Sequence, residues 1–199
     1  MIDVDAVKEM VAYAMKHGIN YYDTAWGYHG GNSEIVMGEV LKEYPRDSFY
    51  LATKFPGFNL ENMQKVEEIF EKQLEKCQTT YFDFYLFHNV TESNIDGYLD
   101  EKYGIFEYLM KQKEKGRIRH LGFSTHGSLE TMERFLKAYG KDLELLTETR
   151  LEVLRAANQL DSDVDMSEVK EQSFEYYQNA LKNDTHLAYL IFDEDKNER

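Results

Sequence analysis

Hydrophobic positions in the first 140 residues follow two alternating periods, one typical of helices and one typical of strands. The i, i+3, i+4, i+7 spacing of Val7, Met10, Val11 and Ala14 predicts a helix over residues 4–17 with these residues on its inward face. Gly18 is the expected end of this helix. Similar spacing predicts helices over residues 33–44, where Ser33 is the expected cap, and over residues 60–77, 105–116 and 129–139.

Short runs of aromatic and aliphatic residues lie between these helices. They predict strands over residues 19–23, 49–54, 83–88 and 118–124. Regular alternation of strand and helix implies parallel strands with crossover helices.

The strand ends recur at a regular interval. Asp23, Lys54, His88 and Ser124 are 31, 34 and 36 residues apart, and no Gly-x-Gly-x-x-Gly follows any strand. This favours a (β/α) barrel over an open nucleotide-binding sheet. Because a full (β/α)8 barrel takes about 250 residues, we expect an α/β fold that is a partial (β/α)8 TIM barrel of about four βα units.

The composition changes near residue 140. All 12 glycines and both prolines precede residue 141, and residues 141–199 carry 7 Lys+Arg against 15 Asp+Glu. We therefore predict a partial barrel over residues 1–144 and a mainly helical, acidic extension over residues 145–199, with chance clustering as the alternative. The extension is expected to contain a helix from Leu145 to about Ala157, a second over about 166–182, a strand over 186–192 and a charged tail.

Charge and cysteine content limit the function classes. The 199 residues have a formal net charge of −14, which disfavours nucleic acid and anionic membrane surfaces as partners. Cys77 is the single cysteine, so neither an internal disulfide nor a cysteine-based metal cluster is expected. No apolar run is long enough to span a membrane, and no signal peptide is evident. We expect a cytoplasmic protein.

The polar strand ends are the candidate chemistry. In a barrel, the C-terminal ends of the strands face one mouth, so Asp23, Lys54, His88 and Ser124 are expected to meet there, with Tyr28 in the loop above the first strand. An ammonium stabilises a neighbouring phenolate and thereby lowers the pKa of the phenol. An imidazole can orient a substrate oxygen. Such a set could protonate a carbonyl oxygen while hydride arrives at carbon.

Each residue also has a structural interpretation. Alone, Asp23 could be a strand-end cap, Lys54 a solvated strand end and His88 a structural histidine. A metal site formed by His29, His88 and His126 is conceivable, but these residues lack ligand spacing, and we expect no metal.

Four motifs occur in order along residues 1–144, and together they resemble the aldo-keto reductases, in particular a bacterial branch of that family. These motifs are Asp23–Tyr28, Ala52–Phe55, Leu86–Asn89 and Leu121–Ser124. The resemblance implies a TIM barrel that reduces an aldehyde or ketone with NADPH or NADH and lacks a Rossmann fold.

The resemblance also implies roles for individual residues. Tyr28 would be the general acid, Lys54 and Asp23 would tune it, and His88 would orient the carbonyl. Asp23, Ser124 and His126 are the candidate cofactor contacts, with Ser124 at the nicotinamide carboxamide. Many members of this branch end in a cysteine-rich iron–sulfur segment, which one cysteine cannot provide.

Two features depart from the family pattern. The family has a strand before the first helix, whereas this sequence starts at that helix. At the position that follows residue 144, the family continues with a fifth strand and the second barrel half, which supplies most adenosine-phosphate contacts. Residues 145–196 instead weakly resemble the N-terminal part of an acetyl-CoA-dependent N-acetyltransferase, on the runs 146–155 and 185–192.

Two alternatives to an active reductase stay open. The chain could be an inactive truncated or chimeric fragment, or a binding or regulatory module without turnover. A four-stranded piece of barrel also leaves two sheet edges unpaired, so we expect self-association through them.

Overall fold

Five parallel strands form one sheet in the computed structural model, which describes residues 2–143 and 145–147. Their order is β1-β2-β3-β4-β5, so each strand pairs with its neighbours in sequence. The strands are β1 (Tyr21–Asp23), β2 (Tyr50–Phe55), β3 (Phe82–Val90), β4 (Ile118–Thr125) and β5 (Leu145–Thr147). The helices are α1 (Val4–Lys16), α2 (Ser33–Leu41), α3 (Val66–Lys76), α4 (Ile95–Leu99), α5 (Ile105–Glu114) and α6 (Leu129–Tyr139). The alternation predicted for an α/β barrel segment is confirmed.

Helix α1 has the ends that its sequence indicates but a narrower buried face. The Asp3 carboxylate caps it by accepting the Ala6 amide at 3.1 Å, and Gly18 follows with a φ of 86°, which favours glycine. Val11 is the buried residue of α1, whereas Met10, predicted to face inward, is 62% exposed. Helical spacing identifies an apolar stripe but not how much of it a neighbour covers.

The prediction of a helix beginning at Leu145 is wrong for residues 145–147. These residues form β5, which pairs parallel to β4 with Leu145 opposite Gly122 and Thr147 opposite Ser124. A short apolar run fits either period, and here it extends the sheet to a fifth strand rather than the predicted four. The remainder of the predicted extension, including the helix to Ala157 and the strand over 186–192, lies outside the described residues. The domain boundary near residue 144 stays a prediction.

Three further local features differ from expectation. The predicted helix over 60–77 is divided into a 3-10 segment, Leu60–Lys65, and α3. Asn32, not Ser33, precedes α2, and the Ser33 hydroxyl instead accepts a hydrogen bond from Thr24 at 2.8 Å. Helix α4 was not predicted, because its five residues are too short for a periodic pattern.

The sheet has two different faces. On one face, Leu51, Tyr85 and Phe123 belong to the buried hydrophobic cluster that the helices cover, and Phe123 lies 4.9 Å from Phe135 of α6 between ring centroids. Side chains alternate along a strand, so Lys54 and His88 share the opposite face. This alternation turns the polar strand ends away from the helices.

A buried carboxylate fixes the other end of the sheet. Asp83 is fully buried at the beginning of β3 and accepts hydrogen bonds from Arg46 at 2.6 Å, from Arg119 at 2.9 Å and from the Leu51 amide at 2.9 Å. Because both of its oxygens have cationic partners, its burial is compensated. These contacts hold β2, β3 and β4 in register below the site.

Strands β1 and β5 end the sheet order, and self-association through these edges stays a prediction. Within the described ranges, every helix is too short or too polar to cross a membrane.

Gly38 provides a test of helix packing. A Cβ at this position would lie 2.4 Å from the Lys76 carbonyl oxygen and 2.6 Å from the Cys77 carbonyl carbon. Alanine normally stabilises a helix interior relative to glycine by about 0.5–1 kcal/mol, but this overlap with backbone should cost about 1–3 kcal/mol. We expect Gly38→Ala to lower the free energy of unfolding in urea.

Gly140→Ala is the matched control, since its methyl would lie 3.3 Å from the flexible Leu136 side chain. We expect that substitution to change stability by less than about 0.5 kcal/mol. A Gly38→Ala protein at least as stable as the unsubstituted chain would contradict the close contact of α2 with the end of α3.

Candidate active site

The Lys54 ammonium is the centre of the polar cluster. The side chain is fully buried, and its Nζ donates to Asp23 Oδ1 at 2.5 Å, to the Thr24 carbonyl at 3.2 Å and to the Tyr28 hydroxyl at 3.2 Å. An ammonium has three protons, and these three oxygens can accept all of them. The structure therefore brings Asp23, Tyr28 and Lys54 together.

Contacts from helix α3 hold the loop that carries Tyr28. Tyr28 lies five residues after the end of β1, at the beginning of a kinked turn, Tyr28–Gly31, in which His29 and Gly30 have φ values of 51° and 65°. Lys76 of α3 lies 4.0 Å from the Trp26 ring centroid and donates to the Gly31 carbonyl at 3.3 Å. These contacts flank Tyr28 on both sides in sequence and limit its movement relative to Lys54.

His88 closes the cluster from β3. Its ring lies edge-on to Tyr28, with 5.8 Å between centroids, and edge-on to Phe58 at 5.4 Å. The residue is 8% exposed, and its Nδ1 is buried without a hydrogen-bond partner among the described residues. His88 therefore presents an imidazole with unused hydrogen-bonding capacity beside the phenol.

The surroundings of His88 keep it neutral. Burial, with smaller contributions from the Lys54 and His126 charges, lowers the pKa of His88 from 6.5 to about 3. At neutral pH the ring thus has one N–H donor and one nitrogen acceptor. It can donate a hydrogen bond to a carbonyl oxygen without adding a positive charge.

Ser124 lies at the same strand ends, on β4. It is fully buried, and its hydroxyl oxygen accepts the Asn89 amide at 2.8 Å. Asn89 itself has a φ of 54°, at an irregularity in the pairing of β3 with β4, and its Oδ1 is buried without a partner in the described part of the chain. His126 lies two residues after Ser124 in sequence and is exposed.

A buried polar network behind β2 supports Lys54. Glu34 of α2 is fully buried and accepts from Thr53 at 2.7 Å, from Gln73 of α3 at 2.6 Å and from Lys76 at 3.1 Å. The Gln73 amide also donates to the Lys54 backbone carbonyl at 3.0 Å. The strand end that carries the ammonium is thus tied to two helices.

This network was not predicted from the sequence. Glu34 and Gln73 occupy helical positions that could equally be solvated, and only the long-range contact between α2 and α3 buries them. One available signal was the i, i+3, i+4, i+7 spacing of Glu34, Met37, Gly38 and Leu41, which places Glu34 on an apolar face of the helix.

The arrangement can donate a proton to a substrate oxygen. Lys54 donates to the Tyr28 oxygen, so the phenolic proton is not committed to Lys54 and can be given to another acceptor. In the ranges 2–143 and 145–147, no group of three or more His, Cys, Asp or Glu residues is placed to hold a metal ion.

The sequence of this chain is similar to those of known proteins. The model of the aldo/keto reductase family matches residues 1–183, beyond the predicted boundary at residue 144. The aldo-keto reductase YhdN of Bacillus subtilis is 33% identical over 64% of this chain and 39% of its own length. The chain spans 36% of the length of a probable aldo-keto reductase of Glycine max, which is 30% identical.

Solved structures have the same fold. An aldo/keto reductase of Brucella melitensis is 28% identical, with a TM-score of 0.56 over 72% of this chain and 53% of its own. An aldo/keto reductase of Klebsiella pneumoniae, solved with NADP and acetate, is 25% identical, with a TM-score of 0.56 over 72% of this chain and 46% of its own.

The depressed pKa of His88 predicts acid sensitivity. Between pH 6.5 and about 3, His88 binds a proton in the unfolded chain but not in the folded one, so stability falls as pH falls. We expect the free energy of unfolding to decrease below pH 6.5 with a slope approaching about 1.4 kcal/mol per pH unit.

The window from pH 6.5 to 5.5 isolates this contribution, because the lowered pKa values of Glu71, Glu92 and Asp100 act below it. Denaturation at each pH should give a flatter dependence for His88→Gln. Equal slopes for the variant and the unsubstituted chain would show that His88 is not held neutral.

Proposed function

The chain belongs to the aldo/keto reductase family, and we propose that it reduces an aldehyde or ketone with hydride from a nicotinamide cofactor. The single observation that carries this proposal is the buried Lys54 ammonium, which donates to both Asp23 and the Tyr28 hydroxyl. Few reactions need a phenol beside a buried cation, and protonation of a carbonyl oxygen is one of them.

Each residue has a defined part in this proposal. Tyr28 is the general acid and gives its proton to the substrate oxygen. Lys54 stabilises the negative charge that develops on the Tyr28 oxygen, and Asp23 holds Lys54 in place. His88, neutral at physiological pH, donates a hydrogen bond to the same substrate oxygen and thereby orients the carbonyl.

The residues present fit the nicotinamide end of the cofactor. Ser124 accepts the Asn89 amide and still has a hydroxyl proton to donate, while the buried Asn89 Oδ1 has an unused acceptor in the described region. A carboxamide offers the complementary acceptor and donor. Ser124 would hold this group, Asp23 and His126 are the other proposed cofactor contacts, and the bound cofactor would supply hydride.

The substrate is expected to be a small carbonyl compound, and the cofactor NADPH or NADH. A Klebsiella pneumoniae relative solved with NADP supports the nicotinamide cofactor. The proposed location is the cytoplasm, where the buried Cys77 thiol would stay reduced.

Substitution of Tyr28 tests the proposal. Tyr28→Phe removes the proton donor and keeps the ring, so we expect kcat for a small aldehyde to fall by about 10²–10⁴-fold, the usual contribution of general acid catalysis. NADPH affinity, measured by fluorescence titration, should change little. Tyr13→Phe, on the exposed face of α1, is the matched control and should keep full turnover.

Two results would contradict the proposal. One is full turnover by Tyr28→Phe. The other is NADPH binding by the unsubstituted chain without any oxidation of NADPH in a single-turnover experiment with aldehyde, which would instead support a binding module or an inactive fragment.

A further inference from the structure

The Tyr98 hydroxyl joins the two strand ends that carry Lys54 and His88. Tyr98 lies on α4 and is almost fully buried. Its hydroxyl donates to the His88 carbonyl at 2.7 Å, shares that proton with the Phe55 carbonyl at 3.2 Å and accepts the Gly57 amide at 3.0 Å. One oxygen thus connects the residue after Lys54, the loop that follows, and His88 itself.

We propose that Tyr98 is a positioning residue, whose hydroxyl sets the place of the His88 imidazole relative to the Lys54–Tyr28 pair. Its effect on turnover rests on the proposed function, while its effect on His88 does not. Tyr98 acts through the backbone of β2 and β3.

The fit around this hydroxyl is tight. A Cβ on Gly57 would lie 2.4–2.5 Å from the Tyr98 ring and hydroxyl, so the glycine is needed for the close approach of the loop. The Tyr98 ring is also held edge-on by Phe55, Phe87 and Phe135, at centroid distances of 6.3, 5.5 and 6.2 Å. Rigid packing of the ring gives the hydroxyl a fixed position against the strand ends.

Loss of the hydroxyl removes a hydrogen-bond partner from two buried backbone groups. The His88 carbonyl would lose the hydroxyl donor at 2.7 Å, and the Gly57 amide would keep only its bond to the Phe55 carbonyl at 2.9 Å, so water enters or the strand ends move to replace the lost contacts. We expect either change to give water access to His88. The charged and titratable groups that face His88 are Tyr28 from the loop after β1, Lys54 from β2 and His126 after β4, and none of these is altered.

Histidine NMR on the full chain tests this inference without reference to activity. With labelled histidine, the His88 signal is assigned from its loss in His88→Gln. We expect His88 to stay neutral down to pH 4.5 in the unsubstituted chain and to titrate above pH 5 in Tyr98→Phe. Turnover of an aldehyde should fall about 10- to 100-fold, because small misplacements of reacting groups have effects of this size, while NADPH affinity stays the same.

Tyr139→Phe is the matched control. Its hydroxyl bonds only weakly, at 3.4 Å, to the Tyr98 carbonyl and does not reach either strand end. We expect this variant to leave the His88 titration and turnover unchanged. The same His88 shift in both variants would show general loosening of the aromatic cluster and would overturn the inference.

A second variant approaches the contact from the loop and keeps the hydroxyl. Gly57→Ala should displace the loop or the phenol and reproduce the His88 titration above pH 5. Gly97→Ala, whose methyl would meet the flexible Met63 side chain at 3.0 Å, is its control. A His88 that stays neutral to pH 4.5 in folded Tyr98→Phe or in folded Gly57→Ala overturns the inference, whether or not the chain reduces a carbonyl compound.

Discussion

Burial of the Lys54 ammonium is the constraint on which the rest of this structure depends. A charged group without solvent must receive its hydrogen bonds and its counter-charge from the protein. Asp23 supplies the charge, and the Thr24 carbonyl and the Tyr28 hydroxyl supply the remaining acceptors. The loop after β1 is therefore placed by the same requirement that places the phenol, so stability and chemistry have a common cause at this point.

The surrounding polar groups extend this requirement through the fold. Gln73 donates to the backbone carbonyl of Lys54 and to the Glu34 carboxylate on the helix side, where each buried polar atom again needs a partner. Asp83 fixes the opposite end of the central strands. The parallel sheet is thus held by buried polar contacts at both ends, with an aromatic core between them, and the polar strand ends have little freedom to separate.

How much could be predicted from the sequence follows from which interactions are local. The strands ending near Asp23, Lys54, His88 and Ser124 were predictable because alternation of strand and helix implies parallel strands, whose ends meet. Tyr28 was placed through a family resemblance and five residues of spacing. By contrast, three features depend on contacts distant in sequence. They are the burial of Glu34, the hydrogen bonds of the Tyr98 hydroxyl to the strand ends, and the strand at Leu145–Thr147. A three-residue strand is also too short to show a period, which is why β5 was predicted as helix.

The most direct measurement of the central claim is a double-mutant cycle on the free energy of unfolding, with Asp23→Asn, Lys54→Met and both together. If the buried ammonium depends on the Asp23 carboxylate, which is 35% exposed at its side chain, the two substitutions couple by at least about 1 kcal/mol, and the double variant is more stable than the sum predicts. Additivity within about 0.3 kcal/mol would contradict the account.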